Sequence, residues 1–221
     1  MVCRCPQRDR SSRDPRFHLS GLDEVVSDRF DRAYYERFYD FPRTRASDRE
    51  ETSILGDFVC AYLRYLGQPV RRVLDMGCGY GLWQEVIARH YPRASYTGVE
   101  ASAFLCAEFG WLHGSAVHFR SRGAFDLVIC KDVLQYLPNA AAKDAIDNLA
   151  TLCRGALYFN LLTREDWDEN CDQDQTNGEV YLRSHNWYLR RLRSHFVRVG
   201  GGLFVSRESP CVLWELEKLG A

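Results

Sequence analysis

Two carboxylates flank a glycine-rich loop in the first half of the chain. The loop, with the sequence GCGYG at residues 77–81, follows the apolar run 73–76 that contains Asp75, and Glu100 lies nineteen residues after the last glycine. Small residues let backbone N–H groups approach a ligand closely. A carboxylate at the end of a neighbouring strand can accept both hydroxyls of a ribose. This spacing therefore predicts a binding site for a ribose-bearing small molecule.

The spacing of the glycines distinguishes between two classes of ligand. Dinucleotide-binding folds favour GxGxxG, which leaves room for a pyrophosphate at a helix N-terminus, whereas here the third glycine comes one residue earlier. Asp75 would also place a negative charge beside any phosphate, so a ligand with an ammonium group suits the loop better. A nicotinamide-dependent enzyme stays as an alternative, because it would use the same ribose carboxylate.

Strands and helices alternate through the middle of the chain and would bring these groups together. The strands are predicted at 73–76, 96–100, 125–130 and 156–162, with a weaker one at 116–119, and the helices at 82–90, 101–109 and 140–153. This alternation implies right-handed crossovers and a parallel sheet. Ligands of such sheets bind at the carboxyl ends of the strands, where the loop and Glu100 would lie.

The two ends of the chain follow other patterns. Residues 1–20 are polar and rich in arginine, which is typical of a mobile arm. An aromatic-rich helix is predicted at 22–41 and a second helix at 48–66. Near the C-terminus we expect a helix at 184–196 and strands at 204–205 and 212–215, which would close the sheet as a hairpin after a turn at 200–202.

Residues 73–81 resemble motif I of the class I S-adenosylmethionine-dependent methyltransferases. The segment 98–100 (GVE) is similar to the ribose-binding acidic motif of that family, and 125–138 (FDLVICKDVLQYLP) resembles its fourth-strand motif. The resemblance covers about residues 54–162. It implies an α/β fold: a Rossmann-like, doubly wound, mostly parallel seven-stranded sheet with an antiparallel C-terminal strand and an N-terminal helical cap.

The resemblance also implies which residues bind S-adenosylmethionine. The loop would line the methionine portion, with Asp75 holding its amino group, while Glu100 would bind the ribose and Ala101 would contact the adenine. Residues at the end of the fourth strand would border the sulfonium, beneath the aromatic helix of the cap. The implied cofactor-binding residues are Tyr34, Asp75, Gly77, Cys78, Gly79, Gly81, Glu100, Ala101, Cys130 and Lys131.

Two positions depart from the family pattern. Many small-molecule members have Glu-His where this chain has Gln135 and Tyr136, so a histidine base is missing there. Tyr136 is a candidate to orient the acceptor or to remove a proton, with packing inside a helix as the simpler alternative. An acid that often meets the adenine is also absent, because 118–122 reads HFRSR, which leaves the backbone or Ser121 for that contact.

The segment 163–188 follows the predicted strand 156–162, where the family commonly inserts a lid over its substrate. Acidic and aromatic residues are interleaved in this segment, which suits a cationic or aromatic small molecule. A solvated acidic loop is the alternative. His185 is a candidate general base within this lid.

Composition limits the partners and the compartment. The chain has 221 residues and a net charge of −1, and the lack of a basic excess disfavours a nucleic-acid acceptor. There are nine cysteines but no CxxC pair, so we expect buried, reduced thiols without a metal site, as in a cytoplasmic protein. No apolar stretch approaches the roughly 20 residues of a membrane helix.

These features together predict a methyltransferase that acts on oxygen or nitrogen of a small-molecule acceptor. The predicted organisation is an arm at 1–20, a helical cap at 21–66 and a methyltransferase domain at 67–221 with a lid at about 163–188. An NAD-dependent oxidoreductase on a related sheet is one alternative. A non-catalytic cofactor-binding or scaffold protein is the other. The acceptor and the oligomeric state do not follow from the sequence.

Overall fold

Seven strands form the central sheet of the computed structural model, which describes residues 29–40, 49–173 and 176–219. In chain order the strands are β1 (Arg72–Met76), β2 (Ser95–Glu100), β3 (Leu112–His113), β4 (Phe125–Lys131), β5 (Cys153–Asn160), β6 (Phe196–Gly200) and β7 (Leu203–Ser206). Their order across the sheet is β3-β2-β1-β4-β5-β7-β6. Strand β7 is antiparallel to both neighbours, and the other pairs are parallel. The predicted fold class is confirmed.

Helices pack on both faces of this sheet. They are α1 (Arg32–Tyr35), α2 (Arg49–Tyr65), α3 (Leu82–His90), α4 (Ala103–Phe109), α5 (Asn139–Leu152), α6 (Arg164–Glu169) and α7 (His185–Leu192). A π-helical turn, Glu36–Asp40, continues α1, and a 3₁₀ turn, Leu134–Tyr136, follows β4. Within the described residues, no helix combines the length and the apolar character that crossing a membrane requires.

Two hydrophobic cores lie on opposite faces of the sheet, because successive residues of an inner strand point to opposite sides. Val73 and Leu127 pack in the core that α2 and α3 cover. Leu74 and Val128 pack in the core that α5 and α7 cover. Each of these side chains is fully buried, and burial of one such side chain contributes about 1.5–3 kcal/mol. The inner strands β1 and β4 are thereby held at the centre of the molecule.

The edges of the sheet differ from the sequence prediction. The third strand is Leu112–His113, so the strand predicted at 116–119 is wrong. Helix α7 ends at Leu192, and the last residue of the helix predicted at 184–196 instead begins β6. Residues 212–215 form no strand, because Val212 and Trp214 lie on the surface with 79% and 74% of their area exposed. The predicted turn at 200–202 is confirmed and joins β6 to β7.

The N-terminal cap is described in part. Residues 1–28 and 41–48, which include the predicted arm at 1–20 and both ends of the predicted helix at 22–41, lie outside the described residues. Within 29–40, the Asp31 side chain caps α1 by accepting a hydrogen bond from the Tyr34 backbone N–H at 2.9 Å. Phe30 and Tyr35 are buried against Leu105 of α4. The described part of the cap therefore packs beside the carboxyl edge of the sheet.

Gly155 lies inside β5, two residues after the end of the helix predicted at 140–153. A Cβ atom at this position would lie 2.1 Å from the Asp126 carbonyl oxygen on the adjacent strand, and backbone atoms of a central strand have no room to retreat. We expect Gly155→Ala to lower the free energy of unfolding by about 3 kcal/mol, measured by urea denaturation. As a control, Gly123→Ala would meet only the flexible guanidinium of Arg72, and equal losses in the two variants would contradict the prediction.

Candidate active site

The glycine loop leaves β1 at the carboxyl edge of the sheet and turns directly into α3. Gly77 and Gly81 have φ angles of 74° and 73°, in the left-handed region that favours glycine. A Cβ atom on Gly77 would lie 2.4 Å from Val133, and one on Gly81 would lie 2.5 Å from Trp111. The Trp111 indole N–H donates to the Gly79 carbonyl at 2.9 Å. The glycines are therefore needed both for the turn and for close packing of the loop.

The Glu100 carboxylate is buried at the end of β2 and faces this loop. Its Oε2 accepts a hydrogen bond from the Gly79 N–H at 2.9 Å, and its Oε1 accepts from the N–H groups of Ala101 and Ser102 at 2.8 and 2.9 Å. The Tyr35 side chain adds a further hydrogen bond, while burial raises the pKa of Glu100 against the effect of these donors. The carboxylate is thereby fixed in one position.

Asp75 lies at the end of β1, buried beneath the loop. The Tyr96 hydroxyl donates a hydrogen bond to its Oδ2. Burial raises the pKa of Asp75 to about 7, the nearby charge of Glu100 adds to this rise, and the hydrogen bond from Tyr96 opposes it. The base of the loop therefore carries a carboxyl group that changes charge near neutral pH.

Aromatic residues of the cap cover the open side of the loop. The Ser102 hydroxyl donates to the Phe30 carbonyl, which attaches the cap to the start of α4. The hydroxyl oxygens of Tyr34 and Tyr136 lie 2.9 Å apart, and burial raises the pKa of Tyr34. This hydrogen bond joins the cap to the 3₁₀ turn that follows β4.

The loop, the cap and the ends of β2 and β4 enclose a cavity of about 640 Å³, including its open mouth, which we call the first cavity. Its size is typical of small-molecule sites. Seven of the residues predicted from the sequence line it: Tyr34, Gly77, Gly79, Glu100, Ala101, Lys131 and Tyr136. The structure therefore brings most of the predicted residues together around a single space.

The remaining predicted residues lie outside the wall of this cavity. Asp75 and Gly81 do not line it, and the Cys78 sulfur faces Gly98, where an added Cβ atom would be 3.0 Å away. Cys130 belongs to the core under α5, and its burial raises the pKa of the thiol. Each cysteine of the described residues is a free thiol.

A second cavity lies beyond Lys131 and Asp132, which line both spaces. It is wider and more open, at about 1450 Å³ including its mouth, and its walls come from the end of β5, the segment after β5, α7 and the β6–β7 hairpin. His185 lines this second cavity, and its Nδ1 lies 3.0 Å from a Glu165 carboxylate oxygen. The histidine predicted in the lid is therefore separated from the first cavity.

Two polar or backbone features of the first cavity were not predicted from the sequence. Residues 114–116 line it and follow β3, where the sequence placed the adenine contact at 118–122. The other is Asp132, which has a φ of 57°. Among the described residues it is the only non-glycine residue with a positive φ. Its N–H donates to the Asn160 carbonyl at 2.8 Å, and its carboxylate pairs with Lys131. Such backbone strain often occurs at functional sites.

Comparison with known proteins agrees with this geometry. The profile of the methyltransferase domain family matches residues 32–214. The chain is 25% identical over 157 residues to the malonyl-(acyl-carrier protein) O-methyltransferase of Legionella pneumophila, covering 66% of this chain and 54% of that protein. It is 28% identical over 114 residues to the ubiquinone biosynthesis O-methyltransferase of Aromatoleum aromaticum, covering 46% and 48%. The chain thus spans about half the length of these curated relatives.

A solved structure shows the same fold. Magnesium protoporphyrin IX methyltransferase from Synechocystis PCC 6803, with bound S-adenosylmethionine, superposes with a TM-score of 0.57 at 19% sequence identity, covering 82% of this chain and 90% of that chain. Because the family profile matches most of the chain, the protein belongs to the methyltransferase domain family.

The strain at Asp132 has a measurable consequence for stability. In a left-handed conformation an alanine pays a steric cost that glycine avoids, so we expect Asp132→Ala to be about 1 kcal/mol less stable than Asp132→Gly in urea denaturation. Asp144 is exposed within α5 and supplies the matched control. There the order should reverse, because alanine is the better residue in a helix interior. The same order at both positions would contradict the prediction.

Proposed function

We propose that the protein binds S-adenosylmethionine in the first cavity and transfers its methyl group to a small-molecule acceptor. The observation that carries this proposal is the buried Glu100 carboxylate, fixed beside the glycine loop where a ribose would bind. Membership of the methyltransferase domain family supports it. The neighbour from Synechocystis, which contains S-adenosylmethionine, has the same fold.

In this proposal, different residues of the first cavity bind different parts of the cofactor. Glu100 holds the ribose, and Ala101 with residues 114–116 borders the adenine. Gly77 and Gly79 line the methionine portion, and Tyr34 covers it from the cap. Asp75, beneath the loop, acts on the amino group through its charge, since its carboxyl does not reach the cavity wall.

The cofactor, when bound, supplies an electrophilic methyl group on a sulfonium, so the protein mainly has to align the acceptor and receive a proton. The acceptor lone pair forms the new bond to carbon, the electrons of the sulfur–carbon bond remain on sulfur, and a proton leaves an acceptor that carries one. Tyr136, hydrogen-bonded to Tyr34, would orient the acceptor. The Asp132 carboxylate lines the same cavity and would take the proton.

We further propose oxygen as the acceptor atom, with nitrogen as the other possibility. Two of the curated relatives are named as O-methyltransferases. The site also lacks an imidazole at the position of Tyr136, so an acceptor whose oxygen is already ionised would need no base at all. A carboxylate or an acidic hydroxyl fits this requirement best.

Calorimetry with S-adenosylhomocysteine and the Glu100→Gln variant tests the cofactor assignment. The substitution keeps the size of the side chain but removes the charge that would accept the ribose hydroxyls. We expect the dissociation constant to rise by about tenfold or more, which is the value of one lost charged hydrogen bond. Glu108→Gln, at an exposed position on the neighbouring α4, is the matched control and should bind as the wild type does.

NAD in the same titration separates the methyltransferase from an oxidoreductase. We expect S-adenosylhomocysteine to bind and NAD to show no heat of binding. Binding of NAD alone would overturn the proposal, as would equal affinity of the two glutamate variants for S-adenosylhomocysteine.

The raised pKa of Asp75 predicts that binding is linked to a proton. In the free protein this carboxyl is largely protonated below its pKa of about 7. A bound ammonium group would favour the ionised form, so binding should release a proton and tighten as the pH rises from about 6 towards 7. Titrations at about pH 6.5 in phosphate and in Tris, whose ionisation enthalpies differ, count the protons released. Asp75→Asn should lose this release, and an unchanged count in that variant would contradict the prediction.

A further inference from the structure

The second cavity lies at the carboxyl edge of the sheet, and the proposed cofactor binding does not use it. It meets the first cavity at Lys131 and Asp132, which line both. A molecule in the second cavity would therefore reach the sulfonium side of the cofactor without entering through the mouth that the cap covers. Its position makes it the natural space for the acceptor, and its walls indicate the chemistry of that acceptor.

The wall of the second cavity is about half apolar and half polar. Leu55 of α2, Phe159 of β5, Leu189 of α7 and Phe204 of β7 face it from different sides. Such a lining favours an aromatic or aliphatic body, because contact with these side chains removes apolar surface from water. Polar groups at the wall then determine how that body is oriented.

The acidic groups of this wall are already engaged within the protein. Asp166 accepts hydrogen bonds from the Thr163 N–H and hydroxyl at 3.2 and 2.6 Å, in a capping box that begins α6. Asp132 is paired with Lys131, and Glu51 takes part in an interaction of its own. These contacts leave Asp132 and Asp166 poorly placed to hold a cationic ligand.

One cation of the wall is in a different position. Arg198, on β6, lines the second cavity, and its side chain has no hydrogen-bond or ion-pair partner among residues 29–40, 49–173 and 176–219. A guanidinium presents paired N–H donors that match a carboxylate in bidentate geometry. Among the charged groups of the wall, Arg198 is thus the one available to a ligand.

We propose that the second cavity binds the methyl acceptor, and that the acceptor is an amphipathic small molecule whose carboxylate pairs with Arg198. Its apolar body lies against the leucine and phenylalanine walls, and its reacting group faces the first cavity at Lys131 and Asp132. This inference rests on the proposed function, because it assigns the acceptor of that reaction.

Ligand-observed NMR on the protein saturated with S-adenosylhomocysteine tests the proposal with three probes of one shape. They are 3-phenylpropanoate, its neutral amide and the cationic 3-phenylpropylamine. We expect the carboxylate to bind at least tenfold more tightly than the amide and the amine. Equal binding of the carboxylate and the amide, or tighter binding of the amine, would overturn the proposal.

Variants of Arg198 test whether this residue is the cause of the preference for the carboxylate probe. Arg198→Met should reduce the affinity for 3-phenylpropanoate to that of the amide, and Arg198→Lys should retain part of the preference. Arg93→Met removes an exposed arginine between α3 and β2 and should bind all three probes as the wild type does. If Arg198→Met keeps the wild-type preference for the carboxylate, the proposal fails.

Calorimetry on the same samples keeps the two proposals apart. Wild-type protein and Arg198→Met should bind S-adenosylhomocysteine equally, because Arg198 does not line the first cavity. Loss of cofactor binding in the wild type would refute the proposed function. Normal cofactor binding without a carboxylate preference would refute only the assignment of the acceptor.

Discussion

The buried carboxylate of Glu100 is the constraint on which the site depends. Placing an ionised carboxylate in the interior is costly unless hydrogen bonds compensate it, and here the compensation comes from three different segments. Gly79 belongs to the glycine loop, Ala101 and Ser102 to the start of α4, and Tyr35 to the cap. Hydrogen bonds to a charged group contribute about 1.5–3 kcal/mol each. The loop, the helix and the cap are therefore held in register by a single side chain.

The lid segment is tied to the same assembly from the opposite side. Arg29 of the cap pairs with Glu179 at 3.2 Å, and the Tyr181 N–H donates to the Gln135 carbonyl at 2.7 Å. Arg183 is buried and donates to the carbonyls of Leu134 and Leu137, so it fixes both ends of the 3₁₀ turn that carries Tyr136. Within the lid, Glu179 thus pairs with the cap, Arg183 holds this turn and Asp166 caps α6, so these three charged groups are already engaged within the protein.

The sequence predicts those parts of this arrangement that depend on local sequence patterns, but not those that depend on tertiary contacts. Strands β1, β2, β4 and β5 were predicted within three residues at each end, because β1, β4 and β5 contain buried apolar runs and β2 ends in the local GVE motif. Strand β3 has only two residues, and neither is buried. In β6 the exposed Arg198 lies between the partly exposed Val197 and the buried Val199. Neither strand therefore shows a clear alternation of apolar and polar residues. Glu100 was predicted because its motif is local. Asp132 was missed because its position in the site arises from tertiary contacts.

The end of β4 connects the two cavities and limits the chemistry between them. The bond from the Asp132 N–H to the Asn160 carbonyl ties β4 to β5, so the strained backbone is retained by the sheet itself. The phenols on the cap side are poor proton acceptors, since burial raises the pKa of Tyr34 and a protonated phenol offers only its weakly basic oxygen. In the proposed reaction, the Asp132 carboxylate would then remove the proton, or the acceptor would need no proton removal. An acceptor that arrives already ionised satisfies both this limit and the pairing proposed for Arg198, since a dicarboxylic acid could pair one carboxylate with the guanidinium and present the other to the cofactor.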